Sequence, residues 1–110
     1  MDNLWTGEFE QMVLLAILQL GDGAYAVPIR HEIEERARRQ VSRGALYTAL
    51  ERLEGKGLLT SRMGEPTAER GGRSKRFYKV TARGLRAVRN SRDAMVRLWR
   101  GLDSVLGKVP

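Results

Sequence analysis

The sequence predicts a mainly α-helical domain with a two-stranded β wing, on three observations. Three early segments repeat apolar residues at spacings of three and four, with only short turns between them. A later stretch, 58–80, alternates like paired strands around a glycine-bearing loop. The last twenty-five residues carry an apolar stripe at heptad spacing. A chain of 110 residues is the length of one compact unit.

Each element has its own warrant. The first helix is expected over 8–20, where Phe9, Met12, Val13, Ala16, Ile17 and Leu20 share one face. Leu14, Leu15 and Leu18 widen that stripe, which predicts a helix buried on most sides. Thr6 is the expected N-cap, and Gly21, Asp22 and Gly23 supply the stop and a turn. The second helix opens near Ala26 or Val27, with Pro28 in the first turn, where its missing N–H costs little. Ile29, Ile33 and Ala37 form its apolar stripe, opposite Arg30, Glu34, Glu35 and Arg38. His31 lies off the stripe and reads as a surface residue.

The third helix follows a short turn at Gln40 and Val41. Ser42 reads as its N-cap and Gly57 as its stop. Leu46, Leu50 and Leu53 make a narrow apolar seam, and the opposite face carries Arg43, Tyr47, Thr48, Glu51 and Arg52. Strands are expected over 58–63 and 75–80, joined by a loop over 64–74 whose tip holds Arg70, Gly71, Gly72, Arg73 and Lys75. Thr81 is the expected N-cap of a last helix over 82–106. Val88, Met95 and Leu102 recur every seven residues, flanked by Leu98, Trp99, Val105 and Leu106. So short a chain has little to cover that stripe, so a helix of a partner subunit is the expected cover. The division expected is 1–81 for the winged unit and 82–110 for a dimerisation helix.

Charge is unevenly placed. The net charge is +7, yet residues 1–42 hold four arginines against seven acids. Residues 43–92 hold thirteen basic residues against four acids. A basic block inside a folded unit is the footprint of a polyanion-binding surface. The absence of cysteine removes disulfides, thiolate metal sites and cysteine nucleophiles, and a single histidine leaves no histidine-rich metal site. No metal or other cofactor is expected. The apolar run 12–18 is too short for a membrane span and lacks a basic start, so a soluble cytoplasmic protein is expected. Scattered carboxylates on charged helical faces give no catalytic constellation, and Gly71 and Gly72 make no phosphate-loop fingerprint.

Helix, short turn, helix, then a basic hairpin is the layout of a winged helix-turn-helix. Its third helix can enter the major groove of double-stranded DNA. Arg43 is the candidate base reader, because one guanidinium bonds guanine O6 and N7 together. Ser42, Tyr47 and Thr48 are candidate phosphate contacts, Gly44 and Ala45 are small enough for close approach, and Arg52 and Lys56 are placed to meet the backbone. In the wing, Gly71 and Gly72 let the backbone approach the duplex while Arg70, Arg73 and Lys75 supply charge.

A family resemblance rests on particular residues. They are Gly7, Glu8, Phe9 and Glu10 with Leu14 and Leu15, then Ala24 and Tyr25 leading to Ile29. Ser42 to Tyr47, Leu50 to Glu54, and Lys56 to Leu58 follow, then Arg70 to Arg73, Tyr78, Thr81 and Gly84. Over about residues 7–90 the chain resembles the PadR family of transcription regulators, in its short form with a single C-terminal helix. Ala26 stands where that family commonly has glycine, and Gly55 where it has a charged helix former. The resemblance implies a repressor that is a homodimer, its terminal helix packed on the partner's first helix. Phe9 and Met12 are then facing residues for Val88, Met95, Leu98, Trp99, Leu102, Val105 and Leu106. It also implies, from some relatives, a small aromatic effector near that interface, for which Trp5, Phe9 and Trp99 are the candidate residues. The competing reading is a winged-helix protein–protein interaction module without DNA binding; a small-molecule carrier and an enzyme rank below it.

Overall fold

The computed structural model describes residues 6–65 and 74–107. The chain runs through α1 (Glu8–Leu20), a 3-10 turn (Gly21–Gly23), α2 (Ala26–Ala37), α3 (Arg43–Gly55), β1 (Leu59–Met63), β2 (Arg76–Val80), α4 (Ala82–Trp99) and α5 (Asp103–Leu106). β1 and β2 form an antiparallel hairpin in which Leu59 faces Val80 and Met63 faces Arg76. The expected elements are present, with strand ends within one residue of expectation.

The core is built from the apolar stripes. Val13, Leu14 and Ile17 of α1 meet Ile29 and Ile33 of α2, Leu46, Leu50 and Leu53 of α3, and Leu58 and Leu59 of the hairpin. The backbone of Ala24 extends the sheet edge, since the Tyr78 N–H donates to the Ala24 carbonyl at 2.8 Å. α1 itself is only half sheathed. Leu15 and Leu18 stay exposed, so the helix expected to be buried on most sides has one uncovered apolar flank. Thr6 does not cap it either: Gly7 takes the cap position, and no side chain bonds the first turn.

The end of α3 is the most constrained joint. Gly57 adopts φ +77°, a left-handed conformation open to a residue without Cβ. The Gly57 N–H then reaches the Glu54 carbonyl and the Leu58 N–H the Leu53 carbonyl, which closes the last turn. Thr81 locks α4 onto this turn. Its hydroxyl donates to the Gly57 carbonyl at 2.7 Å and accepts the Gly84 N–H at 3.0 Å. Its own N–H donates to the Leu58 carbonyl at 3.1 Å. A Cβ at Gly84 would lie 2.3 Å from that same carbonyl oxygen and 2.7 Å from Val80 Cγ1. Glycine is therefore what lets α4 lie against the hairpin.

Beyond Val88, α4 leaves the core. Of its eighteen residues only Gly84 and Ala87 are buried. The helix expected to continue to residue 106 ends at Trp99. Arg100 turns extended, Gly101 takes φ +84°, and the Leu102 N–H caps the Trp99 carbonyl at 3.0 Å. Leu102, Val105 and Leu106 thus sit past a break, and the seven-residue stripe does not run along one continuous helix. Among the described residues no helix is long and apolar enough to cross a membrane, and none group three or more His, Asp or Glu as metal ligands.

Candidate nucleic-acid interface

α3 presents its sequence-expected face outward. Leu46, Ala49, Leu50 and Leu53 turn inward, while Ser42, Arg43, Gly44, Ala45, Tyr47, Thr48, Glu51 and Arg52 are exposed. Ser42 caps the helix, its hydroxyl accepting the Ala45 N–H at 3.1 Å. Such a cap is worth about 1 kcal/mol. It leaves the Arg43 and Gly44 N–H groups at the positive end of the helix for an outside acceptor.

Neither Arg43 nor Arg52 is paired with a carboxylate among the described residues. Glu54, a ready intrahelical partner for a nearby arginine, accepts instead from Ser61 at 2.8 Å. Tyr47 stands 47% exposed. A cleft of about 270 Å³ between the openings of α2 and α3 is lined by Ala26, Val27, Arg30, Arg43, Leu46 and Tyr47. Val27, exposed beside Tyr47, had no helical-stripe signal to single it out.

Two expected cations are engaged within the molecule. The Lys56 ammonium is held by Glu10 of α1 at 2.8 Å, and the Glu10 side chain is only 12% exposed. A backbone contact by Lys56 would have to break that pair. The Lys75 ammonium lies 4.4 Å from the centre of the Tyr25 ring and 3.4 Å from its hydroxyl, which seats it on the protein. Tyr25 in turn packs edge-on against Phe77, and the Arg62 guanidinium covers the other ring at 4.9 Å. Arg70, Gly71, Gly72 and Arg73, the expected wing tip, lie outside the described residues, as does Trp5.

Other pairs brace the unit. Arg39 bonds Glu8 at 3.0 Å and lies over the Phe9 ring at 5.7 Å. The Val41 N–H donates to Glu34 at 3.1 Å, which ties the α2–α3 turn down. Arg36 pairs with Glu32 within α2. His31 is exposed. The Tyr78 phenol is raised above its ordinary value, chiefly by burial, while Arg76 pulls the other way. Phe9, Met12 and Val88, expected at a subunit interface, already pack against the core's edge. Met95, Leu98, Trp99, Leu102, Val105 and Leu106 remain exposed.

Comparison with known proteins gives the same frame. The model of the transcriptional regulator PadR-like family matches residues 14–90. A PadR-like transcription factor from Bacteroides fragilis superposes with a TM-score of 0.69 at 26% identity, over 88% of each chain. A PadR family transcriptional regulator from Eggerthella lenta gives 0.67 at 25% identity, over 93% of this chain and 88% of that one. A PadR family regulator from Clostridium difficile, at 21% identity, shares the fold with a TM-score of 0.71 over 89% and 98%. No curated protein sequence matches. With the family pattern spanning most of the chain, on a winged-helix framework shared with these regulators, this protein belongs to the PadR-like family of transcriptional regulators.

Proposed function

We propose that the chain is a homodimeric repressor that binds double-stranded DNA sequence-specifically. Residues 1–81 form the DNA-binding unit and 82–110 the dimerising extension. α3 lies in the major groove. Arg43 reads guanine, Ser42, Tyr47 and Thr48 bond phosphates, and Arg52 meets the backbone. Gly44 and Ala45 keep the approach short, and the wing tip at Arg70, Gly71, Gly72 and Arg73 follows the adjacent strand. The observation that carries this reading is the outer face of α3: exposed throughout, capped by Ser42, with two arginines that no carboxylate neutralises among the described residues.

Dimerisation follows from the uncovered apolar rows. Leu98 is 75% and Trp99 50% exposed on α4, and Leu15 and Leu18 are uncovered on α1. Apolar surface of that kind is covered by association. Release of DNA by a small aromatic effector belongs to the same reading, with Trp99 and Phe9 beside the seam as its candidate contacts.

Selection of bound duplexes from a random pool tests the proposal. It should return a two-fold symmetric site whose affinity falls with salt at a log–log slope near −7, for about four phosphates per subunit. Arg43→Ala should relax the preference at one position by about 1–3 kcal/mol. A pool that returns no consensus, with a slope near zero, defeats the reading.

A further inference from the structure

Glu54 stands in the last turn of α3, where the helix dipole disfavours an acid. Its placement has another use. The Ser61 hydroxyl, on β1, donates to Glu54 Oε2 at 2.8 Å and accepts from Arg76 Nη1, on β2, at 3.0 Å. One hydroxyl therefore joins the reading helix to both strands of the wing. Both of its partners are ionised, so both bonds are charge-assisted. At this half-buried strand position a hydroxyl is short enough to stay in the sheet and can donate to a carboxylate and accept from a guanidinium at once.

The relay matters because of where α3 is otherwise fixed to the hairpin. The covalent joint is the turn at Gly57 and Leu58, clamped by Thr81. This joint, with the non-directional packing of Leu50 and Leu53 in the same core as Leu58 and Leu59, fixes a pivot. A second fixing point, three residues along β1, fixes the angle about it. We infer that Ser61 is a positioning residue that sets the angle between α3 and the wing, and so the spacing along the duplex between bases read by α3 and positions touched by the wing. The inference rests on the DNA-binding reading.

The test compares Ser61→Ala with Ser61→Thr, which keeps the hydroxyl on a residue suited to a strand. In random-pool selection, Ser61→Ala should lose about two- to tenfold of discrimination at the wing-contacted flanks, the span of one net hydrogen bond. The preference at α3-contacted positions and the thermal midpoint should stay near wild type, and Ser61→Thr should restore the flanks. An unchanged Ser61→Ala profile, or a loss shared by Ser61→Thr, overturns the assignment. A DNA-free arm separates this from failure of the DNA-binding reading. The chain has no cysteine, so spin labels at Glu51→Cys and Lys79→Cys report the α3–wing distance directly. Wild type and Ser61→Thr should give one narrow distribution and Ser61→Ala a broader one. If wild type selects no duplex, the DNA reading falls while the label distances still decide the relay. Equal widths in all three variants overturn it.

Discussion

The joint where α3, the hairpin and the start of α4 meet contrasts with the outer half of α4. At the joint, Gly57, Leu58, Thr81 and Gly84 are held by five hydrogen bonds, and the contacts at Gly84 leave no room for a methyl group. From Met95 onward, α4 shows apolar side chains to solvent with nothing laid across them. The difference teaches which part of the chain is complete alone. The joint satisfies the backbone groups at the end of α3 and the start of α4 and closes onto the core. The outer helix carries an apolar face that the described residues leave uncovered.

Breaking the joint should give the largest effect. Gly84→Ala places a methyl against the backbone of Leu58, which cannot rotate away, and should cost about 1–3 kcal/mol as overpacking. The measurement is the urea midpoint, which should fall with little change in slope. Gly44→Ala is the control, since a Cβ there meets nothing within 4 Å. It should leave stability unchanged or raise it by up to about 1 kcal/mol. Equal effects at the two glycines would erase the contrast.

The outer helix should respond in the opposite way. Leu98→Asp changes a residue that touches no core, so cooperative unfolding should persist. Sedimentation at micromolar concentration should shift from about twice the chain mass to the chain mass. A wild-type monomer under those conditions would remove the partner surface from the account.

The smallest effect is a pH dependence at the hairpin. Burial raises the Tyr78 phenol, with Arg76 opposing and Glu54 adding to the rise. The fold thus favours the neutral form. That stabilisation is fully present below the ordinary phenol value of about 10 and is lost as pH climbs through the higher folded value. The alkaline fall in urea midpoint should be shallower in Tyr78→Phe than in wild type. Matching curves would mean the phenol is as free in the fold as in the unfolded chain.

Features with a local cause were legible in the sequence. Ser42 and Gly57 mark the ends of α3 because a cap and a left-handed turn are chosen by one or two residues. The stripe of Leu46, Leu50 and Leu53 fixes which face of that helix is outward, and so exposes Arg43, Tyr47 and Arg52. What was missed depends on residues far apart in the chain. Lys56 meets Glu10 across forty-six positions and Arg39 meets Glu8 across thirty-one. The Glu54, Ser61 and Arg76 relay needs the hairpin folded before its members are neighbours. Leu15 and Leu18 read as buried because an apolar count does not say how many sides are covered. The break at Gly101 did have a local signal, a glycine, but the heptad spacing across it suggested continuity. Positive φ at one residue outweighed a repeat of seven.

That break constrains the shape of the partner surface proposed above. α4 is eighteen residues long, about 27 Å of straight axis, and its uncovered row ends at the turn. Leu102, Val105 and Leu106 follow the break, on and beside a separate short helix. A straight zipper strand could follow one row or the other, not both. The partner surface proposed for this face would therefore have to be bent, or made of two pieces that meet at an angle.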